Sequence, residues 1–100
     1  MKAVTKNKKA NPNKGRKRVT FVCKAVPGSE VYVAGDFNEW NPEKRKLSDK
    51  EGHGRFTTTM LLPVGTYEYK FIINGQWSID PECEEWVPNK MGSLNSVVII

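Results

Sequence analysis

Two segments, Gly35-Asp36-Phe37-Asn38-Glu39-Trp40 and Tyr69-Lys70-Phe71-Ile72-Ile73-Asn74-Gly75-Gln76-Trp77, each close on a tryptophan that strand periodicity places outside the core. An exposed indole offers an apolar face and a single N–H, so two of them in a small domain suit a flat, weakly polar ligand. If Asn74-Gly75 forms a two-residue turn, Ile73 lies opposite Gln76 and Ile72 opposite Trp77. Trp77 then shares a face with Lys70, a diagonal neighbour at roughly 7–8 Å, and an ammonium and an indole can address one ligand together. The same residues admit a second reading, in which Ile72 and Trp77 are covered by another sheet or by the following loop and Lys70 snorkels past them. Trp40 also has two readings: a ligand-facing loop residue, or a plug in the open end of the fold, for which Phe37 is the better candidate.

Catalysis has few residues to work with. His53 is the single histidine, in a Gly-His-Gly turn with no nucleophile or metal ligand at a telling spacing, and it reads as solvated. Asp80, Glu82, Glu84 and Glu85 form the one carboxylate cluster. A glycosidase needs a carboxyl pair with one member kept protonated by burial, and a hydrophilic loop does not supply that burial. No loop motif supports calcium there. The expectation is a chain with no catalytic residues, no metal and no cofactor.

The elements that would position these residues read as strands and turns, with no 3.6-residue apolar period sustained long enough for a helix. Val19 to Val26 and Glu30 to Ala34, separated by Pro27-Gly28-Ser29, read as a hairpin. Arg55 to Leu62 is a third strand, closed by Pro63 and Gly65. Thr66 to Ile73 and Gln76 to Ile79 make the central hairpin around Asn74-Gly75, and Leu94 to Ile100 is the last strand. Along the central strand Tyr67, Tyr69, Phe71 and Ile73 share the core parity, while Glu68, Lys70 and Ile72 share the other.

At 100 residues the chain has room for one domain with a modest core. Its net charge of +5 is unevenly divided. Residues 1–18 hold eight Lys or Arg and no acid, against eight bases and eleven acids in residues 19–100, so the folded part is near −3. Residues 1–18 have almost no apolar surface to offset ordering entropy and read as a disordered basic arm. The arm is either a solvated leader or an attachment to nucleic acid or an acidic partner; no aromatic is interleaved for base stacking, which favours the leader. No apolar run reaches the roughly 20 residues that span a bilayer, and the N-terminus has no secretory apolar core. The expected location is the cytoplasm. Cys23 and Cys83 flank Trp40 as in an extracellular immunoglobulin domain, but Cys83 lies in a loop-like Pro-Glu-Cys-Glu-Glu, so both thiols are expected to be free. Trp86 either packs on the sandwich edge or enlarges the ligand surface.

Four motifs, in order, carry a resemblance: Val31-Tyr32-Val33-Ala34-Gly35-Asp36-Phe37-Asn38-Glu39-Trp40; Leu62-Pro63-Val64-Gly65-Thr66 running on to Trp77; Asp80-Pro81; and Gly92-Ser93-Leu94-Asn95-Ser96-Val97. Over residues 19–100 the chain resembles carbohydrate-binding module family 48, which includes the glycogen-binding domain of the AMP-activated protein kinase β subunit and the N-terminal domains of isoamylases and branching enzymes. The resemblance implies an all-β, immunoglobulin-like antiparallel β-sandwich that binds α-1,4-linked glucan such as glycogen or starch. It implies that Trp40 and Trp77 lie against glucose rings, that Lys70 and Asn95 contact sugar, and that Met91 and Ser93 occupy an apolar and a hydroxyl position in the loop before Asn95. Met91 stands where leucine or an aromatic is usual; its flexible apolar side chain can make the same contact. The implied partners are a polysaccharide or malto-oligosaccharide, together with a kinase subunit or the catalytic domain of a glycoside hydrolase family 13-type enzyme. The competing functions are a protein-interaction module with a vestigial sugar site and a nucleic-acid binder acting through the arm. The first is disfavoured because both tryptophans, the lysine and the asparagine are all present.

Overall fold

The computed structural model describes residues 15–83, 85–89 and 92–100. Eight strands run along them: β1 Arg16–Lys24, β2 Val31–Gly35, β3 Lys46–Leu47, β4 Arg55–Pro63, β5 Thr66–Ile73, β6 Gln76–Ser78, β7 Trp86–Pro88 and β8 Leu94–Ile99. One 3-10 turn, Asp36–Asn38, follows β2. The strands form two antiparallel sheets, a two-stranded β1–β4 ribbon and a larger sheet in the order β3-β2-β5-β8-β7, with β6 added to β5. The fold is the expected all-β, immunoglobulin-like sandwich.

Alternation builds the core. Phe21 and Cys23 of β1 and Phe56 and Leu62 of β4 face Val31 and Val33 of β2, Leu47 of β3, and Tyr69 and Phe71 of β5, all of them buried. The aromatic parity of β5 is therefore its core face, with Tyr67 and Ile73 packed at the margin. Phe37 closes one end of the sandwich, its ring centroid 5.3 Å from that of Phe21 and 6.2 Å from that of Tyr67.

The hairpin expected between the first two strands does not form. β1 pairs with β4 along its whole length, from Arg16↔Pro63 to Lys24↔Arg55, and β2 pairs with β3 and β5. The Pro27-Gly28-Ser29 turn carries the chain from one sheet to the other, so Phe21 and Cys23 meet Val31 and Val33 across the core instead of beside them. Turn chemistry alone does not distinguish a hairpin from such a corner. β1 also opens at Arg16, so Arg16, Lys17 and Arg18, assigned by sequence to the arm, pair with β4. Residues 1–14 of the arm lie outside the described residues.

The central hairpin forms in the expected register, with Ile72↔Trp77 and Ile73↔Gln76. Asn74 and Gly75 both have positive φ, 51° and 84°, as a type I′ turn demands. Asn74 also joins this turn to the neighbouring one: its N–H donates to the Glu30 carbonyl at 2.8 Å, and its Oδ1 accepts the Glu30 N–H at 2.9 Å. Among the described residues no helix is long and apolar enough to cross a membrane.

Candidate functional site

The site is built on the solvent face of the larger sheet. Cross-strand pairing puts Ala34, Lys70 and Ile72 of adjacent strands on the face opposite Tyr69 and Phe71, and continuing the Tyr69↔Ser96 register brings Asn95 alongside Lys70. Ile72 is buried, as the covered reading expected, whereas Trp77 opposite it remains 48% exposed. Ala34 is fully buried.

Trp40 reaches this face and does not plug the sandwich. Its ring centroid lies 6.4 Å from that of Trp77, and the two ring planes meet at 33°. A strained loop delivers it there: Glu39 and Trp40 both adopt the left-handed region, at φ 61° and 59°, which costs roughly 1 kcal/mol or more per non-glycine residue. Surrounding bonds hold that conformation. The Trp40 N–H donates to the Gly35 carbonyl at 3.0 Å, and the Asn41 N–H to the Asn38 carbonyl at 3.2 Å. Buried Asn38 accepts the Gly35 N–H on Oδ1 at 3.0 Å and donates from Nδ2 to the Val33 carbonyl at 3.0 Å. Gly35 has no room for a side chain, since a Cβ there would stand 2.5 Å from the Glu68 carbonyl oxygen and 2.8 Å from the Phe37 ring.

Beside the paired indoles lies a hollow of about 530 Å³ lined by Trp40, Lys70, Trp77, Asn89, Ser93 and Asn95. Five of the six residues expected from sequence thus meet in one place; Met91, the sixth, lies outside the described residues. The Lys70 ammonium donates to the Ser93 hydroxyl at 2.8 Å and keeps two further N–H donors. Asn95 is buried, donates from Nδ2 to Glu68 Oε1 at 2.9 Å, and accepts from Asn89 Nδ2 at 3.1 Å on Oδ1. One amide N–H and one lone pair of Asn95 remain for a ligand. Asn89 was not anticipated. Its Oδ1 accepts the Ser93 N–H at 3.0 Å and its carbonyl accepts the Gly92 N–H at 3.3 Å, so it shapes the turn that presents Ser93. An asparagine three residues before a Gly-Ser pair is the sequence signal for that side-chain turn.

The other chemistry-bearing residues are used elsewhere. Asp80 accepts the Tyr69 hydroxyl at 2.8 Å on one carboxylate oxygen and the Glu82 N–H at 2.9 Å on the other, while Glu82 pairs with Lys24 at 3.1 Å. Among the described residues no group of three or more potential ligands could hold a metal. Both cysteines are free. Burial pushes the Cys23 thiol up to about 11, helped by the nearby Asp80 and Glu82 charges. Burial and the bond to Asp80 also hold the Tyr69 phenol well above its ordinary range. Trp86 is 46% exposed and pairs with Ser96, which in turn pairs with Tyr69, so register sets it at the edge of the opposite face, away from the hollow.

An open hollow with indole walls and an amide, ammonium and hydroxyl floor matches the two surfaces of a pyranose, an apolar C–H face and a rim of hydroxyls. Residues 18–100 match the family described as the glycogen recognition site of AMP-activated protein kinase. The chain belongs to this family. Relatives include the 5'-AMP-activated protein kinase subunit beta-1 of Bos taurus, 39% identical over 71 residues, which are 71% of this chain and 24% of that protein. The beta-1 subunit of Sus scrofa is 38% identical over 71% of this chain and 54% of its own length. The beta-2 subunit of Mus musculus is 33% identical over 81% of this chain and 28% of its own. The chain therefore spans between about a quarter and a half of these curated relatives. Family membership makes it a recognition module of a non-catalytic kind.

Proposed function

We propose that this chain binds α-1,4-linked glucan, in the form of glycogen, starch or malto-oligosaccharide, through Trp40, Lys70, Trp77, Ser93 and Asn95, with Met91 completing the loop. The observation that carries the reading is the tilted indole pair flanking the free donors of Lys70. Successive glucose units of an α-1,4 chain turn relative to one another, so two platforms inclined at 33° suit a curved chain better than a flat cellulose ribbon. Lys70 and Asn95 hydrogen-bond ring hydroxyls, which fixes the register of the sugar on the platforms. The names of the relatives favour attachment to a kinase β subunit over attachment to a glycoside hydrolase.

Each sugar contact is weak and solvent-facing, so short oligosaccharides bind modestly and polymers retain the module through many sites per chain. Electrophoresis in a native gel containing glycogen tests this. Wild type is retarded in glycogen and not in a cellulose derivative, and Trp40→Ala or Trp77→Ala each lose roughly tenfold or more in affinity, about 1.4 kcal/mol. Unretarded migration of the wild type in glycogen would overturn the reading.

A further inference from the structure

Trp40 is half-buried and is more than a ring face on a loop, because its indole N–H is already taken. It donates to Asp36 Oδ1 at 3.0 Å, while Asp36 Oδ2 accepts the backbone N–H of Glu68 at 2.8 Å. Asp36 begins the 3-10 turn and Glu68 lies in the middle strand of the larger sheet, 32 residues away in sequence. One carboxylate therefore ties the ring of a loop residue to the most interior strand of the sheet. Among the described residues the one salt bridge is Lys24–Glu82, and none of their cations pairs with Asp36. The same Glu68 accepts Asn95 on its side chain, and Asn95 continues through Asn89 and Ser93 to Lys70. The Trp40 wall and the polar floor of the hollow are thereby joined in one line of hydrogen bonds running from Asp36 to Lys70.

We propose that Asp36 is a positioning residue for glucan recognition, which holds the Trp40 indole at its binding angle by tethering the ring N–H to the Glu68 amide. The assignment rests on the α-glucan reading of the hollow. A tryptophan side chain turns about two bonds; the loop backbone sets where it begins, and the N–H contact removes its remaining freedom. With the N–H engaged inside the protein, Trp40 offers sugar its ring face and no donor. Untethered, the ring swings between solvent and Trp77, and sugar has to order it on binding. Immobilising one such side chain weakens binding about threefold to tenfold.

The test uses the full chain and two readouts. Two indoles with centroids 6.4 Å apart and planes at 33° give an exciton couplet in far-ultraviolet circular dichroism, which needs no ligand. Asp36→Ala is expected to reduce that couplet toward the level of Trp40→Ala and to weaken maltoheptaose binding about threefold to tenfold by calorimetry. In a Trp40→Ala background the Asp36 substitution should weaken binding no further. Asp36→Asn keeps an oxygen for the indole, sets an amide against the Glu68 N–H, and should retain an intermediate couplet. A couplet and affinity both unchanged in Asp36→Ala would overturn the proposal, as would equal losses with and without Trp40. Should Asp36→Ala fail to fold, Asp36→Asn is compared in wild-type and Trp40→Phe backgrounds, because phenylalanine has no N–H to tether; equal losses again overturn it. Wild type that shows the couplet, loses it in Asp36→Ala and fails to bind maltoheptaose overturns the glucan reading and leaves the tether itself supported.

Discussion

Asn38 shows how much of the site is held by residues that never touch ligand. It sits buried at the turn, accepting the Gly35 N–H and donating to the Val33 carbonyl, and the two left-handed residues Glu39 and Trp40 follow directly. Asn38→Ala leaves a buried N–H and a buried carbonyl without partners, at about 1–3 kcal/mol. Urea unfolding should show that loss. It should be accompanied by weaker glucan retention, because the conformation at Trp40 has lost its support; a wild-type midpoint in Asn38→Ala would remove Asn38 from this role. Register set Trp77 beside Lys70 and the family resemblance added Trp40, Ser93 and Asn95, but neither put Asn38, Asp36, Glu68 or Asn89 behind them. The reason is physical. A ring face is advertised by residue type, whereas a polar side chain that shapes a loop is defined by partners up to 32 residues away.

β5 organises the larger sheet, since it pairs with β2 along one edge and with β8 and then β6 along the other. Its register was legible because Asn74-Gly75 admits one kind of turn and the aromatic parity leaves one choice of face. β3 and β7 were not legible, being two and three residues long, below the length at which alternation carries a signal. The β1–β2 corner was misread for a different reason: both runs are apolar on alternate residues, and that pattern is the same whether two strands are neighbours in a sheet or face each other across a core. Asn74→Ala tests the hairpin. Alanine at φ 51° is strained and forfeits the Glu30 N–H contact, a loss of about 1–2 kcal/mol. Because Trp77 lies two residues beyond this turn, the exciton couplet should weaken in parallel. A loss of stability with the couplet intact would show that β6 keeps its register without the turn.

At the scale of the whole molecule, two groups in the sandwich interior set its response to base. Cys23 is held neutral up to about 11 against an ordinary 9.0, and Tyr69 is held neutral above its ordinary 10.0. As pH rises through the ordinary values the unfolded chain releases these protons and the folded chain keeps them. Stability from both groups is therefore complete below about 9 and falls as pH climbs toward 11. Urea midpoints at increasing pH across that window should decline, with a shallower decline in Cys23→Ala; a flat profile in wild type would contradict it. The same burial makes Cys83 the thiol that alkylating reagents reach first, since Cys23 is 3% exposed.

The sheet margins carry a consequence for life on a polymer. On the proposed glucan reading, a polymer with many sites would gather copies of the module side by side, at local concentrations where exposed strand edges would zip together into aggregates. One margin of the larger sheet is the two-residue β3, and the other is β7, three residues long and ending in Pro88, which has no N–H to donate. The long outer edge of β1 begins Arg16-Lys17-Arg18 and ends at Lys24, so neighbouring copies repel along it. Crowding on a shared chain is thus compatible with each copy remaining separate and free to dissociate.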